Sequence, residues 1–213
     1  MFENLPEVVG HALRNQRAGL DKTAFSLVDL RAGTGAIAIS SLAFADHSPM
    51  PALYTADGPG RSPPLQWSGV PATARSLVLI VEDADSPTPQ PLVHAIVVGL
   101  SADEGALAEG ALPSPDHEGS GHQVGLNSLL QAAWLPPDPP PGHGVHRYVF
   151  QLFALAGDAG LASSPGREAV LNALREHAVA SGCLVGTYER PDASVRSGDE
   201  AVESEPASTG LAM

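Results

Sequence analysis

Leu77-Val78-Leu79-Ile80-Val81, running directly into Glu82-Asp83-Ala84-Asp85-Ser86-Pro87, is the stretch that decides the fold. Five consecutive apolar residues, mostly leucine and β-branched types, read as a strand buried on both faces. The Asp-x-Asp-Ser-Pro that follows is a strand-to-loop signal, because Asp side chains hydrogen-bond the local backbone. Working outward, Val93 to Val98 is a second apolar run, with His94 near its start. Tyr148-Val149-Phe150-Gln151-Leu152-Phe153-Ala154-Leu155 is a third, rich in aromatic and β-branched types. Leu184-Val185-Gly186-Thr187-Tyr188 reads as the last strand, and Ile37-Ala38-Ile39-Ser40 is short but β-compatible. Loops rich in Pro and Gly lie between these runs, notably over 57–64, 86–91 and 135–144. The chain holds 20 Pro and 22 Gly, which argues for many turns and short strands.

Helices are few. Ser164-Pro165 supplies a cap followed by a first-turn proline. Val170, Leu171, Leu174 and Ala178 follow at helical spacing, and Gly182 is the expected end. A short amphipathic helix is predicted over 5–22, with Val8, Val9, Leu13 and Leu20 as its apolar contacts; Gly10 and Gly19 weaken it. It can dock on its own domain or on a second subunit. The predicted fold class is mainly β, a β-rich α+β domain, rather than a βαβ alternation. Residues 1–35 form an N-terminal helical extension, 36–190 the domain, and 191–213 an acidic, disordered tail poor in large apolar groups.

With 213 residues the chain suits one domain with a real core. Its formal net charge of −13 excludes nonspecific binding to a phosphate backbone, so no nucleic-acid partner is expected. No apolar run reaches the roughly 20 residues that a bilayer span needs, so the chain does not read as an integral membrane protein. The N-terminus has neither a basic n-region nor an apolar h-region, and Cys183 is the single cysteine. Both fit a cytoplasmic location.

The polar residues at the strand ends carry the functional signal. Asp83 and Asp85 alternate, so on an extended strand both carboxylates point one way, and at least one gains from a nearby donor or cation. The bland reading of the same pair is turn chemistry. His94 in its apolar strand reads either as a satisfied core residue or as a ligand contact; His146 begins a strand after a Gly-rich loop, where pockets form. An Asp accepting from one imidazole nitrogen would leave the other free to donate to a phosphate or carboxylate. Pro136-Pro137-Asp138-Pro139-Pro140-Pro141-Gly142 is stiff enough to wall such a pocket, and Trp134 just before it reads as an apolar lip or as core. No G-x-S-x-G elbow, P-loop or dinucleotide fingerprint is present. The Asp/His spacing matches no metal motif, and no cofactor is expected. Cys183 reads as a buried, inert thiol.

Taken together, four motifs make residues 36–190 resemble the phosphatidylethanolamine-binding protein (PEBP) family, in its bacterial Raf-kinase-inhibitor-like branch. They are Ser62-Pro63-Pro64-Leu65-Gln66-Trp67-Ser68-Gly69-Val70-Pro71, Asp83-Ala84-Asp85-Ser86-Pro87, His94-Ala95-Ile96-Val97-Val98 and Pro139-Pro140-Pro141-Gly142-His143-Gly144-Val145-His146-Arg147-Tyr148. Gly186-Thr187-Tyr188-Glu189-Arg190 also looks like the bacterial members. The resemblance implies a PEBP-like fold, a large antiparallel sheet packed on a smaller one with few helices. It also implies an anion pocket for phosphate-type head groups at one end of the sheet. The family's pocket residues map onto Asp83, Asp85, His94, His146, Pro139 and Pro140, and its tyrosine before the paired prolines aligns with Trp134. Ala84 stands where the family's aspartate motif has its first proline, Ser86 where it has alanine, and Gly99 where Asn is usual after the histidine strand. The aromatic expected shortly before His94 is missing from Pro91-Leu92-Val93, and Leu129-Leu130-Gln131-Ala132-Ala133 replaces a glycine-rich approach. The implied function is a non-enzymatic binding protein. Its expected ligand is a small phosphate-containing molecule or phospholipid head group, taken by the two histidines and two aspartates. A protein partner (a kinase or protease) and a homodimer are further expectations of the resemblance. A hydrolase using the Asp/His cluster is the weaker rival, since nothing identifies a nucleophile.

Overall fold

The computed structural model describes residues 7–28, 30, 35–114 and 117–190. The expected tail over 191–213 lies outside the described residues. Ten strands and three α-helices follow one another as α1 (Glu7–Leu13), α2 (Ala24–Leu27), β1 (Gly35–Ala36), β2 (Ala38–Ser40), β3 (Ser48–Pro49), β4 (Leu65–Ser68), β5 (Ser76–Asp83), β6 (Leu92–Ser101), β7 (Gly105–Leu107), β8 (Gln123–Val124), β9 (His146–Leu155), α3 (Arg167–His177) and β10 (Ala178–Tyr188). The large sheet runs β1-β10-β9-β5-β6-β8, and β3 also pairs with β10. Its long ladders are antiparallel, as expected, but β1 and β3 join the outer edge of β10 in parallel. The small sheet is β2-β4-β7, antiparallel throughout.

The run over 77–81 is buried along its whole length because each face meets a different layer. Successive side chains of a strand point to opposite faces. Leu77, Leu79 and Val81 pack with Leu65, Trp67 and Leu107 of the small sheet, while Val78 and Ile80 pack with Val170, Leu171 and Leu174 of α3. Each such buried side chain contributes about 1.5–3 kcal/mol. At the end of β5 the helix-side face also carries a charge. Glu82 is fully buried, and its carboxylate accepts from the Ala24 N–H (2.7 Å), Gln151 Nε2 (2.9 Å) and Arg167 Nε (2.7 Å). This cluster pins α2 and α3 to the sheet.

Two expectations need correction, at the C-terminal helix and at the N-terminal one. The helix predicted to end at Gly182 ends at His177, and β10 begins at the next residue. Residues 178–181 instead pair with β9, which makes Gly182 a mid-strand position. A Cβ there would sit 2.2 Å from the Ile37 carbonyl oxygen, so glycine is required by the close approach of the neighbouring chain. The short strand predicted over 37–40 is present as β2 (Ala38–Ser40), paired with β4, and Ile37 just ahead of it is buried in the core and donates its N–H to the Ser181 carbonyl. The helix predicted over 5–22 stops at Leu13. Its downstream half is held in irregular form because Ala18 N–H and Gly19 N–H bond to the carbonyls of Ser86 and Ala84 rather than continuing the helix. The N-terminal segment thus docks on its own domain.

Candidate functional site

Three strand ends converge on one pocket. Asp83 is the last residue of β5, His146 the first of β9, and His94 the third of β6. The ladder registers Asp83 opposite both Tyr148 and Leu92, which brings the three ends level. Leu135, Pro136, Asp138, Pro139 and Pro140 close the pocket from above, and Ser86, Pro87 and Thr88 form its far wall. The cavity is about 30 Å³ and its walls are mostly apolar. At roughly 10–15 Å³ for each water-sized group, it takes about two such groups.

The pocket's polar atoms are tied in a specific way. Asp83 Oδ2 lies 2.7 Å from His146 Nδ1, and Asp83 Oδ1 accepts from the Asp85 N–H at 2.8 Å. His146 Nε2 lies 2.7 Å from Nδ1 of His143, and His143 Nε2 lies 2.9 Å from the Leu13 carbonyl oxygen. Both ring nitrogens of His146 are therefore engaged, so the free donor expected on this residue is already committed to His143. His94 differs. Its Nδ1 sits 2.6 Å from the Leu135 carbonyl, which can only accept, so Nδ1 carries the hydrogen. His94 Nε2 is buried on the pocket wall without a partner, and Tyr148 Oη is buried without one as well. Burial pushes His94 down from the usual histidine range, only partly opposed by the Asp83 charge and the Leu135 carbonyl. Neutral His94 thus presents a lone pair to the pocket. Burial also raises the Tyr148 hydroxyl well above its ordinary value, so it stays protonated.

The two remaining predicted residues stand elsewhere. Asp85 does not share a face with Asp83, because β5 ends at Asp83 and Asp85 sits in the turn. Its carboxylate turns away from the cavity to Arg147, which donates from Nε and a terminal nitrogen (2.7 Å each) and from its backbone N–H (2.9 Å). Arg17 reaches the same carboxylate at 2.9 Å. Burial alone would raise the Asp85 carboxyl, but the bonds and charge from Arg147 and the bond from Arg17 outweigh it and hold the group at about 2. Trp134 is not a lip. It is fully buried behind His94, with ring centres 6.1 Å apart, and stacks on Phe150 at 6.2 Å. A ring of that size gains more from core burial than from a pocket edge. Pro139 and Pro140 do line the pocket. Their loop is anchored by Arg190, which donates to the Pro139 carbonyl (3.2 Å) and lies 2.7 Å from Asp138.

Four participants have no counterpart among the residues expected from sequence. His143 and Arg190 lie inside quoted motifs, and two histidines three residues apart were a visible signal for the first. Arg17 and Leu13 reach the site from more than 120 residues away, and no local pattern announces that. Among the described residues no cluster of His, Cys, Asp and Glu could hold a metal ion. Cys183 lies on β10 among Ala84, Val149 and Val185; burial and the Asp46 charge push its thiol up to about 11, far from a reactive thiolate. No described helix is long and apolar enough to cross a membrane.

Comparison with known proteins matches the same region. The family model described as phosphatidylethanolamine-binding protein covers residues 40–189. A UPF0098 protein of Methanothermobacter thermautotrophicus is 36% identical over 148 residues, 70% of this chain and 95% of that protein. A UPF0098 protein of Chlamydia trachomatis is 39% identical over 162 residues, covering 71% of this chain and 98% of its own length. Among solved structures, a PEBP homologue from Chlamydia trachomatis superposes with a TM-score of 0.65 at 38% identity, covering 73% of this chain and 99% of that one. Escherichia coli YbcL, a member of the PEBP family, gives 0.66 at 25% identity with the same coverage.

Proposed function

The chain belongs to the phosphatidylethanolamine-binding protein family, and from that premise we propose that it is a non-enzymatic, Raf-kinase-inhibitor-like binding protein whose pocket takes a small phosphate-type head group. The observation that carries this reading is His94. Its Nε2 is a buried polar atom with no partner, on the wall of a cavity sized for a few atoms. Such an orphan costs about 1–3 kcal/mol unless something bonds to it, which makes it an anchoring point for a ligand.

The tautomer then selects the ligand's form. Nδ1–H is spent on Leu135, so neutral His94 can only accept at Nε2. A fully ionised phosphate would set its oxygen lone pairs against that nitrogen and against the Asp83 carboxylate. A phosphate monoanion brings its own O–H and can donate it to Nε2; alternatively the complex takes up a proton on His94. Either way one proton accompanies the anion. Asp83 and His146 form a fixed polar wall, and Pro139 and Pro140 hold the loop at little entropic cost. Nothing in the pocket reads as a nucleophile, since the Ser86 hydroxyl is engaged with the Asp83 carbonyl, Thr88 and the Leu92 N–H.

Calorimetric titration with inorganic phosphate, phosphoethanolamine and phosphatidylethanolamine vesicles tests the reading and separates a free anion from a lipid head group. Saturable binding is expected, and His94→Phe weakens it roughly 10- to 100-fold, the worth of one hydrogen bond to a charged group. Absence of binding by the wild type, or equal binding by His94→Phe, overturns it.

A further inference from the structure

Residues 10–19 precede the residues that match the family model (40–189), yet they reach the back of the pocket. Gly10 packs against the Pro141 carbonyl so closely that a Cβ would lie 1.9 Å from its oxygen. The Leu13 carbonyl lies 2.9 Å from His143 Nε2. Arg17 donates to the carbonyls of Val145 (2.8 Å) and His143 (3.1 Å) and pairs with Asp85 (2.9 Å). Ala18 and Gly19 bond to the turn that carries Ser86, a wall of the pocket. We propose that this segment is a strap that belongs to the binding site: through His143 it holds His146 and Asp83 in their ligand-ready arrangement. His143 is a positioning residue, one step removed from the cavity.

Counting protons gives the strap its chemical content. The relay runs from the Leu13 carbonyl through His143 and His146 to Asp83, in three hydrogen bonds. Both ends are acceptors, so three N–H groups must be shared among four ring nitrogens. Two neutral imidazoles carry only two. The intact relay therefore holds one additional proton, balanced by the Asp83 carboxylate. Burial and the neighbouring His146 disfavour a charge on His143. The titratable and charged groups around the relay are Arg17 on the strap, Asp83 at the end of β5, Asp85 in the turn after it, His94 on β6, Tyr148 on β9 and Asp138 on the pocket loop. Without the strap carbonyl one bond of the relay has no acceptor, and His146 is freed to turn away from Asp83.

The decisive experiment combines 15N imidazole resonances of His146 with phosphate calorimetry in the full chain, on wild type, His143→Phe, His143→Gln and Gly10→Val, with near-ultraviolet circular dichroism to verify folding. Gly10→Val lifts the helix carrying Leu13 off Pro141 and the His143 backbone nitrogen while altering no ring or carboxylate of the relay. Both His143→Phe and Gly10→Val are expected to shift the His146 Nε2 resonance and to weaken phosphate about five- to tenfold, the effect of one hydrogen bond. Gln accepts from His146 and donates to Leu13, so His143→Gln keeps affinity within about threefold. An unmoved His146 resonance in His143→Phe or in Gly10→Val overturns the proposal. The binding arm rests on the anion reading of the pocket. If the wild type binds no phosphate that reading falls, while the resonances still decide the strap.

Discussion

Glu82 and Asp83 are adjacent on β5, both buried, and they end in opposite kinds of surroundings. On the helix side, Glu82 has three donors on one carboxylate, drawn from α2, β9 and α3, and the cluster is closed. On the pocket side, Asp83 belongs to a relay that borders a cavity, with His94 Nε2 and Tyr148 Oη left unpartnered nearby. Sequence composition does not distinguish the two, since both are acidic residues at the end of an apolar strand. What separates structural from functional polarity is whether the hydrogen-bond inventory closes. A closed buried cluster fixes the fold; the one beside the cavity leaves polar atoms without a protein partner.

The contrast can be broken most forcefully at Glu82. Replacing it with Ala removes the partner of the half-buried Arg167 Nε, leaves buried Gln151 Nε2 without its carboxylate and uncaps the Ala24 N–H of α2, and should cost about 3 kcal/mol of stability by urea denaturation. The phosphate affinity of the folded fraction should be unchanged. A ligand effect as large as the stability effect would erase the distinction between the two faces. Asp85 gives the next largest change. Its folded carboxyl stands at about 2 against an ordinary 3.8, so its contribution is fully present above 3.8 and disappears as pH falls through about 2. Asp85→Asn is expected to lose about 2 kcal/mol at neutral pH and to match the wild type near pH 2. A difference that persists there would show that the bonds, not the charge, carry the effect. The smallest change is in the ligand's pH profile. Because one proton accompanies the anion, affinity for phosphoethanolamine should rise by up to tenfold for each unit of falling pH, levelling off near the monoester's own second ionisation at about 6. Calorimetry in buffers of differing ionisation heat should show uptake of about one proton. A flat profile would mean that Nε2 does not meet the ligand.

The strands were legible where their burial was simple. The runs over 77–81 and 93–98 announced themselves because both faces of the sheet are covered, so no polar alternation dilutes the signal. The first half of β10 did not, since Ala178, Ala180, Ser181 and Gly182 are small residues chosen for close approach to β1 rather than for β propensity. The edge strands β1, β3 and β8 span two residues each, too few for any period to show. At the site, the gathering of Asp83, His94, His146, Pro139 and Pro140 could be expected from the motifs. The parting of Asp85 from Asp83 could not, because it depends on where β5 stops. The strap was invisible for a different reason: Leu13 contributes a backbone carbonyl, and a carbonyl has no sequence signature.

Arg17 finds its carbonyl partner on Val145, 128 positions later in the chain. At a synthesis rate of about 5–20 residues per second, the strap waits roughly 6–26 s for the strand mouth it must close. Contacts of such separation carry a loop-closure cost that precedes any bond they gain. The pocket is thus completed by a segment made well before the strand mouth it closes.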